Sequence, residues 1–212
     1  AQGMVKKVQL SAFKNVRSQG IKAIALKEGD YLVGAAQTGG ADDIMLFSNL
    51  GKAIRFNEYW EKSGNDEAED ADIETETENE DSDGLDDENA ENALPSGKHG
   101  VRPSGRGSGG LRGMRLPADG KIVSLITFAP EAEQSDLQVL TATANGYGKR
   151  TPIADYSRKN KGGQGNIAIN TGERNGDLVA ATLVSETDDL MLITSGGVLI
   201  RTQVEQIRET GR

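Results

Sequence analysis

The chain contains no cysteine and a single histidine, His99. That leaves no disulfide framework, no thiolate zinc site and no imidazole cluster to hold a metal or share protons. No apolar run approaches the roughly 20 residues that span a bilayer, so no membrane partner is expected. No secretory leader is visible, and no segment sustains a helical period of apolar residues. A reducing compartment fits the absence of cysteine. Gly148-Lys149 is followed by arginine and lacks the glycine spacing of a P-loop. Gly105-Arg-Gly-Ser-Gly-Gly110 has the spacing of a dinucleotide fingerprint, but it follows an acidic stretch and no helical pattern succeeds it. With no nucleophile–base pair and no metal set, no catalysis by this chain is expected and no cofactor is assigned to it.

Glycine, by contrast, is abundant at 27 of 212 residues, nearly double the usual ~7%. Such a composition suits short strands joined by tight turns. Charge is abundant too, and unevenly placed. Residues 61–94 hold sixteen Asp/Glu against one Lys, a net of -15 inside a chain of net -9, which leaves +6 on the remainder. The organisation read from this is a folded part over 1–60, an acidic insert over 61–100 and a continuation of the fold over 101–212. The insert has almost no apolar content and is predicted disordered, since it cannot bury enough surface to offset the entropy of ordering. Its carboxylates lack the spacing and turn glycine of an EF-hand. Two roles stay open for it: a tolerated solvated loop, or an internal polyanion competing for the basic remainder.

A short phrase, glycine with a basic residue four positions on, occurs four times: Gly3-Met-Val-Lys-Lys7, Gly51-Lys-Ala-Ile-Arg55, Gly146-Tyr-Gly-Lys-Arg150 and Gly197-Val-Leu-Ile-Arg201. The spacings are 48, 95 and 51 residues, a period near 50 with one doubled interval, which marks a repeated supersecondary unit. Within each unit a second glycine phrase follows (Gly20–Ile24, Gly110–Met114, Gly165–Ile169). Next comes an apolar pair (Leu32-Val33, Ile122-Val123, Leu178-Val179), then an acidic-to-apolar run (Asp43–Phe47, Asp136–Leu140, Asp189–Ile193). These runs are too short for helices, and four strands per unit is the pattern of propeller-like blades. Asn145-Gly146 and Asn175-Gly176 predict type I′ hairpin turns. Three complete units and the start of a fourth are read, in an all-β chain that begins directly on a repeat and is taken as a fragment of something longer. An irregular β-sandwich is the alternative.

Asn145-Gly-Tyr-Gly-Lys-Arg-Thr151, Glu173-Arg-Asn-Gly176, Asp43–Phe47, Val101-Arg102 and Gly110-Leu-Arg-Gly-Met-Arg-Leu116 resemble the C-terminal domain of the bacterial DNA gyrase A subunit over the whole chain except the insert. The resemblance implies a β-pinwheel, a propeller-like ring with strands exchanged between blades, around whose basic edge DNA wraps. It further implies that the parent enzyme introduces negative supercoils with ATP and magnesium bound elsewhere. The implied partners are double-stranded DNA, the rest of the gyrase A protein and the gyrase B protein, in an assembly of two of each. The implied location is the bacterial cytoplasm at the nucleoid. The family's basic, glycine-rich seven-residue box is absent; Lys161-Gly-Gly-Gln-Gly165 is a degenerate echo of it. The related topoisomerase IV A subunit, which lacks a full box, stays an alternative, although the Asn-Gly-Tyr-Gly-Lys-Arg phrase favours gyrase. A protein-interaction propeller is a second rival, but its Trp-Asp and Gly-His signatures are missing. A hydrolase or lectin on such a scaffold has no supporting residues.

Wrapping needs a curved array of cations, because bending a duplex by 40–90° over 20–30 base pairs costs roughly 1–6 kcal/mol and phosphate contacts must offset it. The candidate DNA-binding residues lie in loops between strands. They are Lys14, Arg17 and Lys22 in the first unit; Arg102, Arg106, Arg112 and Arg115 in the second; Arg158, Lys159 and Lys161 in the third; Lys149 and Arg150 of the repeated phrase are candidates as well. For Lys7, Arg55, Arg150 and Arg201 in the strands, pairing with the recurring aspartates competes with a role on DNA. His99 and Tyr147 are assigned no catalytic role.

Overall fold

The computed structural model describes residues 1–59 and 100–211. The bulk of the insert, with its predicted disorder, and His99 lie outside the described residues. The described chain is all-β, with eleven strands and short 3-10 turns. The strands are β1 (Met4–Val5), β2 (Asp43–Ser48), β3 (Lys52–Asn57), β4 (Leu111–Arg112), β5 (Ile122–Phe128), β6 (Gln138–Thr143), β7 (Gly148–Pro152), β8 (Asn166–Ile167), β9 (Leu178–Val184), β10 (Asp189–Ile193) and β11 (Leu199–Gln203). They form sheets ordered β1-β4, β5-β2-β3-β8, β7-β6-β9 and β10-β11.

Blades do not coincide with repeats. Each blade is centred on a hairpin that joins the acidic run of one unit to the Gly-x-x-x-basic phrase of the next: β2-β3, β6-β7 and β10-β11. A strand from the next apolar pair flanks it, β5 on β2 and β9 on β6. The second glycine phrase of the following unit closes the other edge, β8 on β3. This is the strand exchange of a pinwheel. It also explains why Gly20–Ile24 and Leu32-Val33, expected as strands, form none. Such segments pair with a hairpin one unit upstream, and no hairpin precedes β1 among the described residues.

Alternation along β2 assigns its two faces to two cores. Met45 and Phe47 join Ile126, Phe128, Val139 and Leu178 on one side, while Ile44 and Leu46 join Phe56, Val101 and Met114 on the other. A sheet buried on both faces is a blade stacked between neighbours. Each of these large apolar side chains contributes about 1.5–3 kcal/mol on burial. β5 and β9 stand side by side, with the Ser124 hydroxyl accepting the Ala181 N–H at 2.9 Å. Residues Val33–Ala36 line a small cleft with both strands. The third segments of all three units therefore meet at a hub, and β4 and β8 lie on the opposite edge, the rim.

The hairpin loops correct the expected turn type. In the β6-β7 loop the Gly146 N–H donates to Thr143 C=O at 3.0 Å, so Ala144-Asn145 are the central residues and Gly146, at φ 82, closes the turn. This is a three-residue loop with a left-handed glycine, repeated at Ser48–Gly51 and Thr194–Gly197. Asn175-Gly176 is not a hairpin turn at all; it lies in the connection between β8 and β9, with Gly176 N–H bonded to Gly172 C=O. The alignment of the acidic runs also shifts. Gln138, not Asp136, stands at the register of Asp43 and Asp189, because Gln138, Asp43 and Asp189 begin their hairpin strands opposite Pro152, Asn57 and Gln203 respectively.

The recurring glycines are explained by the seams. The Gly51 carbonyl accepts both Ala168 and Ile169 N–H at 2.8 and 3.1 Å, and Gly3 accepts Gly113 and Met114 at 2.8 and 3.1 Å. A Cβ on Gly51 would sit 2.1 Å from the Ile169 oxygen, and one on Gly165 would sit 2.5 Å from that of Ala53. Both phrases thus need glycine where one unit's backbone closes on the next.

The insert springs from one point on this frame. Glu58 C=O accepts the Val101 N–H at 3.1 Å, so the chain leaves and rejoins at adjacent residues. Gly100, placed in the insert by sequence, is buried in the fold.

Candidate nucleic-acid interface

Two seams between units gather the basic loops. At the first, Ala25 N–H donates to Ser108 C=O, and an Arg106 Nη donates to Lys22 C=O at 3.4 Å, placing Lys22 against Arg106. At the second, Gly162 N–H donates to Gly113 C=O and Arg115 N–H to Gly163 C=O, each at 2.8 Å. These bonds set Arg112 and Arg115 against the loop of Lys159 and Lys161. Both seams run along the rim, next to β4 and β8. Lys22, Arg112, Arg115 and Lys159 are exposed; Arg102, Arg106 and Lys161 are half-buried. Lys14 and Arg17 are exposed beside the turn at Leu10–Phe13, away from any named seam bond. Burial pushes the Lys161 ammonium below its ordinary pKa. The charge is partly stripped of water there, and an incoming anion would favour it again.

Arg150 is buried and Arg158 half-buried, each bonded to groups of the fold itself. The Arg150 guanidinium donates to Ile207 C=O at 2.7 Å, Glu205 C=O, the Gln138 amide oxygen and Glu186. Arg158 turns inward, its Nε donating to both oxygens of buried Asp43 at 3.1 and 2.9 Å. Lys149 Nζ donates to Gly211 C=O at 2.6 Å across the next seam.

The basic residues of the repeated phrase all have acidic partners. Buried Arg55 donates through Nε to Asp43 at 2.8 Å, through Nη to Tyr156 C=O and Glu133 at 2.9 Å, and lies over the Phe128 ring. Arg201 pairs with Asp189, Arg150 with Glu186, and Lys7 with Glu58 at 3.0 Å. Burial alone would raise the Glu58 carboxyl, and this is the largest single influence on it. Hydrogen bonds from Lys7, Thr38 and the Asp42 N–H together hold it below its ordinary value.

Sequence reasoning missed Lys6. Its Nζ donates to the carbonyls of Ala23, Arg106 and Ser108 at 3.1, 2.6 and 2.8 Å, tying both loops of the first seam together. The Lys6-Lys7 doublet is the only sign of it in the sequence. Among the described residues no group of three or more His, Asp or Glu is arranged to hold a metal, and no helix is long and apolar enough to cross a membrane.

Strand-exchanged blades with basic loops gathered at their seams define a pinwheel-type repeat module. Comparison with known proteins narrows the class. The model of the DNA gyrase C-terminal domain, beta-propeller, matches residues 1–38, 42–59, 99–129, 138–185 and 188–212, and the chain belongs to this family. It is 91% identical to the DNA gyrase A subunit of Neisseria gonorrhoeae over all of its length and 23% of that protein. It is 37% identical to the Escherichia coli K12 counterpart, covering 19% of it. The chain thus spans about a quarter or less of the length of these relatives. In fold it resembles the C-terminal domain of DNA topoisomerase IV (TM-score 0.73, 20% identity, all of this chain and 52% of that one). It resembles the DNA gyrase A C-terminal domain similarly (TM-score 0.69, 22% identity, all of this chain and 56% of that one).

Proposed function

We propose that this chain is the DNA-binding and DNA-wrapping module of a gyrase A subunit. The supporting observation is the gathering of cations at two successive seams: Lys22 and Arg106, then Arg112, Arg115, Lys159 and Lys161. The two sets stand at equivalent seams one repeat unit apart, and in this reading a duplex passes from one set to the next as it crosses successive blades. Contacts are to phosphate and carry no base code. Released counterions offset the cost of bending, the same economy the histone octamer uses.

In this reading the chain performs no catalysis. It presents a wrapped segment to an ATP-dependent type II topoisomerase whose remaining gyrase A domains and gyrase B protein, two of each, bind ATP and magnesium and break DNA. The setting is the bacterial cytoplasm, at the nucleoid. Identity to gyrase A proteins favours gyrase over topoisomerase IV.

Titrating duplex DNA against the protein at several salt concentrations tests this. Affinity is expected to fall steeply with salt, and Arg112→Ala with Arg115→Ala is expected to reduce the log–log slope by about 1.8, or about 0.9 per lost contact. Salt-insensitive binding, or an unchanged slope in that double variant, contradicts the reading.

A further inference from the structure

We propose that Arg158 is a positioning residue for the rim, not a phosphate contact: it latches the loop carrying Lys159 and Lys161 onto the buried carboxylate of Asp43. This rests on the reading of the rim as the DNA path.

Three observations converge on the latch. Asp43 is fully buried at the start of β2 and accepts from Arg55, Asn57 and Arg158 at 2.5–3.1 Å. The Arg158 backbone bridges in parallel to Arg55, and the Lys159 N–H donates to Arg55 C=O at 2.8 Å, so side chain and main chain fasten the same point. Finally, Asp43 and Glu133 match Arg55 and Arg158 in charge, so the cluster offers little net field to a phosphate. Of the adjacent residues, Lys159 is exposed and Lys161 half-buried, in a loop whose far end is bonded to Gly113 and Arg115.

The latch is particular to this seam. At the equivalent bridges Lys7 meets Pro103 and Arg150 meets Glu209, so no arginine occupies the position there. The first seam is tied instead by Lys6 through three carbonyls. In the sequence Arg158 stands with its lysine neighbours as one basic cluster; the structure divides that cluster into one fastener and two cations it presents.

A mutant cycle in the full-length protein separates the roles. Arg158→Ala and Arg158→Gln are each made in the wild type and in a Lys159→Ala/Lys161→Ala background, and DNA affinity is read against salt. A positioning residue is expected to lower affinity about tenfold in the wild type and less than about twofold where the lysines are gone. A direct phosphate contact would cost the same in both backgrounds and lower the slope by about 0.9 in each; that result, or no loss in either, overturns the proposal. Glutamine, which keeps a donor for Asp43 without the charge, is expected to retain more affinity than alanine; equal loss counts against the latch. Hydrogen exchange of residues 157–163 without DNA supplies an independent readout, expected to quicken in Arg158→Ala. If the wild type shows no salt-dependent binding, wrapping fails; the latch then stands or falls on whether that exchange quickens.

Discussion

Asp43 shows how far a residue's role follows from its partners. It is buried with Arg55, and removing one member of a buried pair leaves the other charge unsolvated. Asp43→Ala is therefore expected to cost about 3–5 kcal/mol, read from denaturant unfolding. The equivalent Asp189–Arg201 pair is solvent-exposed, so Asp189→Ala is expected to leave the midpoint nearly unchanged. An equal loss at both sites would contradict the distinction. Glu58 gives a pH signature. Its folded pKa is lowered from 4.5, so the stability it adds is present above that value and lost as pH falls through the folded one. Glu58→Gln is expected to flatten the acid limb of stability against pH; an unchanged limb refutes this. The pairing of Arg55 and Arg201 with aspartates was one of two readings the sequence left open, and the structure shows it, both pairs being 12 residues apart on facing strands of a hairpin. That Arg158 is held by the buried Asp43 carboxylate, and that Arg150 pairs with Glu186 and not with a recurring aspartate, was not legible. Asp43 lies two units back from Arg158, and where Arg55 finds Asp43 the equivalent Arg150 finds Gln138, so equivalence of position fixes neither the partner nor which face is buried.

At the level of elements, the glycine phrases were the readable part of the fold, because a hairpin closure and a seam both demand glycine at a fixed spacing. The form of the demand differs from the one expected: Asn-Gly suits a type I′ turn, but the observed loops place Gly at the closing position, where in the β2-β3 hairpin its carbonyl also receives the next unit. Two substitutions separate these demands. Gly197 has φ 80 and open space around a would-be Cβ, so Gly197→Ala is expected to cost about 1–2 kcal/mol from left-handed strain alone. Gly51→Ala meets the same strain plus a carbonyl at 2.1 Å and is expected to cost clearly more. Equal losses would show that the seam yields freely. Gly20–Ile24 and Leu32-Val33 carry the repeat's pattern without becoming strands, because a strand forms only where a partner stands beside it.

For the molecule as a whole, composition separated a basic body from an acidic segment, and the period near 50 residues disclosed the blades. The exchange of strands between units came from the family resemblance, since pairing between distant segments leaves no periodic trace in one sequence. Because Glu58 and Val101 are already bonded, replacing residues 60–99 with a short turn is expected to preserve the fold. Stability should rise by up to about 2 kcal/mol as the closed loop shortens; a fall in melting temperature would mean the insert supports the ring. DNA affinity of the same variant decides between the insert's two roles, rising if it competes as a polyanion and staying level if it is a tolerated loop. The central claim is that a duplex follows the cations of successive seams. Its most direct test is to bind full-length protein to a nicked circle, seal the nick with ligase and count the linking number after removing the protein. The wild type is expected to shift the linking number, and a variant with Arg112, Arg115, Lys159 and Lys161 all changed to alanine is expected to lose most of that shift. The same shift in both would contradict a path along the rim.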